Sequence, residues 1–285
     1  MLFARRLERT IRSLRNRALE GLLTSRAVRK AAYRRLSQSQ SLVLRRYADH
    51  DLVIDPGDLV GTTVLETGDF DRRRTEAVCR RATASGRRTV LEIGANIGTQ
   101  TLYFLKTGLF DQVICLEPDP RNLELLGLNI RLNELSEQAR IIPAAAGAAS
   151  GRLVLRRDAG NSGGATLRAD RLPQDIDSDV SVHVVTVDEL VREGQIDPNQ
   201  IGLVWMDAEG FEDEILSAST TLLSRRTPLA FEFTPGFYDD QTRRSILERV
   251  FAAYSEVCVI EGEAFGPLDL ESALALRRRV DLYCS

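Results

Sequence analysis

Lysine is almost missing from this chain, with only Lys30 and Lys106 among 285 residues. A P-loop closes on Gly-Lys-Ser/Thr, whose ammonium neutralises phosphate, and no such triplet is present. No uninterrupted run of about eighteen apolar residues occurs either, so no bilayer-spanning helix is expected. The N-terminus, MLFARRLERTIRSLRNRALEGLL, is punctuated by arginine throughout and predicts no secretory leader. Cysteine is scarce: Cys79, Cys115, Cys258 and Cys284 form no C-x-x-C pair and no metal-like spacing. Reduced thiols in a cytoplasmic protein are the expectation.

The net charge of −3 conceals an asymmetry. Residues 1–50 hold 13 Lys+Arg against 3 Asp+Glu, while the rest holds 25 against 38. In the basic arm Phe3, Leu7, Ile11, Leu14 and Ala18 recur at helical steps, with arginines on the other faces. Such an amphipathic helix packs on its own domain or a second copy, or adsorbs to an anionic membrane surface. RNA binding is disfavoured, because no aromatic or Gly-rich recognition element accompanies the charge.

SQSQS at 37–41 reads as a break and DPGD at 55–58 as a turn. Beyond them strands and helices alternate. TEAVCRRATAS reads as a helix, RTVLEIGA as a strand, GTQTLYFLKTG as a helix, QVICLEPD as a strand, RNLELLGLNIRLNE as a helix and ARIIPAAAG as a strand. IGLVWMDAEG and PLAFEF have the continuous apolar character of strands buried on both faces, and FEDEILSASTTLL between them has helical spacing. This order predicts an open α/β fold, a mostly parallel sheet covered by helices, ended by the late strands EVCVIEG and RVDLYCS. Residues 151–190 interrupt the alternation with a Gly-, Asp- and Ser-rich loop between GRLVLRR and SVHVVTVDEL, where specificity is expected to be built.

The turn in VLEIGANIGTQTLYF carries the chemistry. A dinucleotide turn needs G-x-G-x-x-G, but here Asn96 stands at the middle position between Gly94 and Gly98. Glu92, two residues before the first glycine, is expected to point a carboxylate into the turn, repelling pyrophosphate and favouring a cationic or zwitterionic ligand. Glu117 ends the next strand, where an acid accepts both hydroxyls of an adenosine ribose. Together they describe a nucleoside with a positive centre and no phosphate, which S-adenosylmethionine fits.

VLEIGANIGTQTLYF, VICLEPDPRNLELLGLNIRLN, VVTVDEL and VWMDAEGFEDEIL, in this order, resemble the FkbM family of S-adenosylmethionine-dependent methyltransferases from about residue 66 onward. The resemblance implies a class I methyltransferase (Rossmann-like) fold: seven strands, the last antiparallel, with helices on both faces. It would occupy residues 51–285, preceded by the helical arm of residues 1–50. It also implies O-methylation of a hydroxyl on a sugar, glycolipid or natural product. Cofactor contacts are then expected from Glu92, Gly94, Asn96, Gly98 and Thr101 around the turn. Glu117, Pro118, Asn122, Ala145 and Asp207 are expected to add contacts from the later strand ends. Three features depart from the family pattern. Trp205 replaces the usual lysine, and shapes an apolar or sugar-stacking pocket or fills core. Ala148 falls where an acid is common after the third strand, leaving adenine to backbone and apolar contacts. The arm lies outside the resemblance.

A hydroxyl acceptor has a proton to lose, so a base of raised pKa is useful. Asp207, Glu209 and Glu232 are the catalytic candidates, as base, substrate holder or, as a minority alternative at Asp207 and Glu209, ligands of a divalent cation. His50, in the arm, and His183 read as structural. Glu212 and Glu214 read as a solvated first helical turn. Asn161 and Ser162, with Gly163 and Gly164, form a polar loop able to close over a small-molecule or glycan acceptor. The competing classes are an RNA methyltransferase using the arginine arm, and a non-catalytic module that keeps the fold. No N/D-P-P-Y/F motif for methylation of base amino groups occurs. The resulting expectation is a cytoplasmic enzyme, peripheral to a membrane or self-associating through its arm, with nucleic acid disfavoured.

Overall fold

The computed structural model describes residues 42–83, 86–158, 161–168 and 176–285. The amphipathic stripe at residues 3–18 and the break at 37–41 lie outside them. The chain divides into two compact units, one of Met1–Val43 with Ile54–Phe70, the other of Leu44–Val53 with Asp71–Ser285. In chain order the strands begin with a hairpin of β1 (Val43–Arg46) and β2 (Asp51–Ile54). Helix α1 (Leu59–Thr67) is capped by Asp58, whose carboxylate accepts from Val60 N, and ends on Gly68 in the left-handed region.

Helix α2 (Arg72–Ala82) opens the second unit's alternation: β3 (Thr89–Ile93), α3 (Thr99–Lys106), β4 (Gln112–Leu116), α4 (Pro120–Leu132), β5 (Ala139–Ile142). An inserted segment follows, with β6 (Ala145–Ala146), β7 (Gly151–Asp158), β8 (Asn161–Thr166) and β9 (Ile176–Val185). The alternation resumes with α5 (Val187–Arg192), β10 (Ile201–Met206), α6 (Glu212–Ser217), α7 (Thr220–Ser224), β11 (Leu229–Phe233) and α8 (Asp240–Ala253). It closes with β12 (Val257–Glu261), β13 (Ala264–Pro267), α9 (Leu270–Leu274) and β14 (Val280–Cys284).

The large sheet has the order β13-β12-β14-β11-β10-β3-β4-β5. Strands β11, β10, β3, β4 and β5 are parallel, and β14 enters antiparallel between β11 and β12. Every residue of β10 and β11 is buried, as their unbroken apolar runs predict for strands covered on both faces. One helical layer closes over Leu91, Ile93, Val204, Phe231 and Leu282 with Ile246, Leu247 and Val250 of α8. Parallel register places the ends of β3, β4 and β10 level: Ile93 pairs with both Leu116 and Met206. The loops after them therefore open at one edge, the place such sheets use for ligands.

The class I expectation holds, with four corrections to its elements. The large sheet has eight strands rather than seven, because Gly262, at φ 62°, turns the chain after β12 back into a hairpin with β13. ARIIPAAAG is two short strands in different sheets, since Pro143 lacks the amide a continuing ladder needs. FEDEILSASTTLL splits into α6 and α7, and the Ser219 hydroxyl at the break bonds Ile215 O at 2.7 Å. The interruption at 151–190 is mostly strand, forming a second sheet in the order β6-β9-β7-β8. Its two long strands pair antiparallel from Gly151↔Val184 onward. Among the described residues no helix is long and apolar enough to cross a membrane.

Candidate functional site

The turn after β3 is tied down on both sides. Gly94 adopts φ +87°, and a Cβ there would lie 1.9 Å from the Asp207 carbonyl oxygen. Only glycine lets the β3 exit pass so close to the end of β10. Gly98 starts α3 at φ +88°, and its missing Cβ makes room for Leu126 of α4. Between them Asn96 also lies in the left-handed region, at φ 50°. The amides are already engaged: Gly94 N and Ala95 N donate to Leu116 O, Asn96 N to Glu117 Oε2 and Gly98 N to Ala95 O. A phosphate cradle needs such donors free. By contrast the Asn96 Oδ1 acceptor is buried with no partner.

Glu117 leaves β4 with its carboxylate over this turn. It accepts from Asn96 N at 2.7 Å, Asp119 N at 2.8 Å and Asn122 Nδ2 at 3.3 Å. Burial pushes its pKa up to about 7, against the pull of those donors. Pro118 follows it, and Asp119 caps α4 by accepting from Arg121 N at 2.8 Å, with Pro120 fitting the first helical position. Glu92 differs from the expectation. Its Oε2 faces α3, accepting from the Thr101 hydroxyl at 2.5 Å with the Cys115 thiol 3.6 Å away, and the residue is 1% exposed. Burial pushes it up to about 8, so the protonated form predominates at neutral pH. Thr101 thus joins β3 to α3 through Glu92. An apolar strand carries this acid inward because Glu92 pairs with Cys115 and Trp205, the residues in register on both sides.

A carboxylate cluster stands beside the turn. Asp207 leaves β10, its amide donating to Ile93 O at 3.0 Å and its Oδ1 buried without a partner. Glu209 follows in the left-handed region, and Glu232 lies on β11. One carboxylate oxygen from each of Asp207, Glu209 and Glu232 lies within 4.8 Å of the others. Burial raises the Asp207 pKa well above the usual range, and the charges of Glu232 and Glu209 add to it. Burial also raises Glu232, opposed by Arg279, which pairs with its Oε2 at 2.9 Å. This set can hold a proton at neutral pH or a cation; Arg279 already supplies one positive partner.

Glu212 overturns the expectation of a solvated turn. It is 2% exposed. Its Oε1 accepts from Ala208 N at 3.0 Å and Gly210 N at 3.4 Å, while the Tyr238 hydroxyl donates to Oε2. It braces the loop that presents Asp207 and Glu209. Glu214 is exposed, as expected. From the second sheet, Thr166 Oγ1 bonds Glu209 O at 3.0 Å and Arg168 bonds Gly210 O at 3.4 Å. The only signal for Glu212 was its place as the last acid of D-x-E-G-x-E. Nothing marked Thr166 or Arg168.

Trp205 is packed as core: its ring meets Phe104 of α3 edge to face, 5.5 Å between centroids, leaving 8% exposed. Ala145 is buried in β6, beside Val184 of β9. Ala148 is exposed. Asn161 opens β8, and Ser162 follows, its side chain outside the described residues. Both belong to a strand rather than to the expected loop. His50 is buried, stacked on Tyr47 with centroids 4.4 Å apart and edge to face with Tyr103. His183 is exposed on β9.

Residues 92–261 match the methyltransferase FkbM domain. The chain belongs to the FkbM methyltransferase family. Among solved structures, this FkbM chain is similar to the methyltransferase FkbM from Methylobacillus flagellatus KT at 16% identity and a TM-score of 0.47. That match covers 70% of this chain and 44% of the other, so the chain spans less than half the length of that structure. An O-methyltransferase from Bacillus cereus in complex with SAH aligns at 13% identity and TM-score 0.44, over 80% of this chain and 87% of that one. No curated protein matches the chain.

Proposed function

We propose that the chain transfers a methyl group from S-adenosylmethionine to a hydroxyl of a sugar, glycolipid or natural product. The observation that carries this reading is Glu117: a buried carboxylate above a glycine turn whose amides are already spent, bonded to the amide of Asn96, whose own Oδ1 is unpartnered. That donor and acceptor set suits a nucleoside hydroxyl pair and a cationic amino-acid portion, not a phosphate. FkbM-family membership supports the same cofactor.

When bound, S-adenosylmethionine supplies a methyl carbon already activated on a sulfonium. What remains for the protein is to place the acceptor and take its proton. Glu117 would accept the ribose hydroxyls, with Asn96 and Asn122 beside it. Asp207 and Glu232, raised by burial, would take up the proton of the acceptor hydroxyl, and Arg279 would stabilise the charge that remains on Glu232. Glu209 would hold the acceptor from the loop braced by Glu212.

The test is calorimetric titration of S-adenosylmethionine and S-adenosylhomocysteine into the full chain beside Glu117→Ala. Binding in the micromolar range, weakened about tenfold or more by the substitution, is the expected result, as befits loss of charge-assisted hydrogen bonds. Absence of binding by calorimetry and by a second method would overturn the reading. An acceptor screen with labelled cofactor then identifies the hydroxyl.

A further inference from the structure

Arg157 lies where the inserted sheet meets the cofactor turn. The ladders of β7 with both β8 and β9 shift register between Arg156 and Asp158, and such irregularities re-aim side chains. The Arg157 guanidinium reaches the start of α4, with Nε 2.8 Å from Asp119 Oδ2 and Nη2 2.5 Å from Asp119 Oδ1. Asp119 is 0% exposed and the Arg157 side chain 12%. Nη1 also lies 3.4 Å from Ser178 Oγ on β9.

Helix stability does not account for this pair. Asp119 already caps α4, and a cation near a helix N-terminus is disfavoured by the helix dipole. What the fork does is fix Asp119 in position, and the Asp119 amide is one of the donors that orient Glu117. A bidentate Arg–carboxylate pair is directional where a lysine would be a point charge.

We propose that Arg157 is a positioning residue, acting through Asp119 on Glu117, so that docking of the inserted sheet and reading of the ribose hydroxyls are coupled. This rests on the cofactor reading above. The arrangement joins the segment most suited to selecting an acceptor to the residue that grips the nucleoside. Loss of the fork therefore leaves the nucleoside pocket present but its ribose carboxylate poorly aimed.

The experiment titrates S-adenosylhomocysteine and its 2′,3′-dideoxy analogue into the full-length wild type, Arg157→Ala and Arg157→Lys, with thermal melts of each. Arg157→Ala is expected to weaken S-adenosylhomocysteine about tenfold while changing the dideoxy analogue less than about twofold, because only the former offers hydroxyls to Glu117. Arg157→Lys, which keeps the charge and loses the fork, is expected to fall between and serves where the alanine variant does not fold. Equal losses for both ligands would mean a merely structural role, and an unchanged S-adenosylhomocysteine affinity would mean no role; either overturns the proposal. If the wild type itself binds neither ligand, the cofactor reading fails first.

Discussion

Gly94 shows how much one missing methyl decides. Its φ of +87° disfavours any side chain, and the Asp207 carbonyl occupies the place of a Cβ. Gly94→Ala is expected to lose at least about 1–3 kcal/mol of stability from backbone strain alone, seen as a lower urea midpoint. The loss is expected to be accompanied by weaker S-adenosylhomocysteine binding. Glu117 yields a second expectation at this scale. Its pKa is pushed up to about 7, so the acceptor form of the carboxylate grows as pH rises through that value. S-adenosylhomocysteine affinity should therefore strengthen between about pH 6 and about pH 8, and Glu117→Gln should remove that dependence. Gly94, Gly98 and Glu117 were legible because their roles depend on φ and strand position. The direction of the Glu92 side chain was not, since it depends on Thr101 and Cys115 from two other elements.

At the scale of elements, the loop between β10 and α6 is held from three sides. Glu212 bonds its amides, Tyr238 bonds Glu212, and Thr166 and Arg168 bond its carbonyls. Tyr238→Phe removes a donor from a buried carboxylate and is expected to cost about 1–3 kcal/mol, read by denaturant unfolding. If the loop places Asp207 and Glu209 as proposed, methyl transfer in the same variant should lose kcat more than cofactor affinity. The apolar strands were readable from their sequence because burial on both faces leaves an unbroken run. The second sheet was not. Its strands β7 and β8 mix arginine, glycine and serine, and their pairing compensates for what their composition lacks.

For the whole molecule, buried acids set the response to pH. Glu92 and Glu117 are pushed up to about 8 and about 7, and burial also raises Asp207, Glu212, Glu232 and Asp281. Each then binds protons more readily folded than unfolded, so its contribution is present in acid and is lost as pH rises from the ordinary carboxylate range through the raised value. Asp49, held below the usual range by its bond from Arg72, and His50, held neutral by burial, act in the opposite direction on the acid side. The unliganded protein should melt highest near about pH 5–6 and lower toward about pH 8–9, checked by calorimetric melts across buffers. Glu92→Gln should flatten the alkaline decline. A melting temperature that climbs steadily to about pH 8 would contradict these buried acids being protonated.

The alternation of the parallel strands with their helices, the glycine turn and the acids at the strand ends were readable from the sequence alone. Those features are local: side-chain period, φ preference and helix capping act over a few residues. Tertiary structure alone decided that Glu212 is buried, that Trp205 fills core against Phe104, and that an arginine 38 residues downstream meets Asp119. Such contacts depend on the register of a second sheet and on which groups lose water when layers close, and neither is written in the spacing of neighbouring residues.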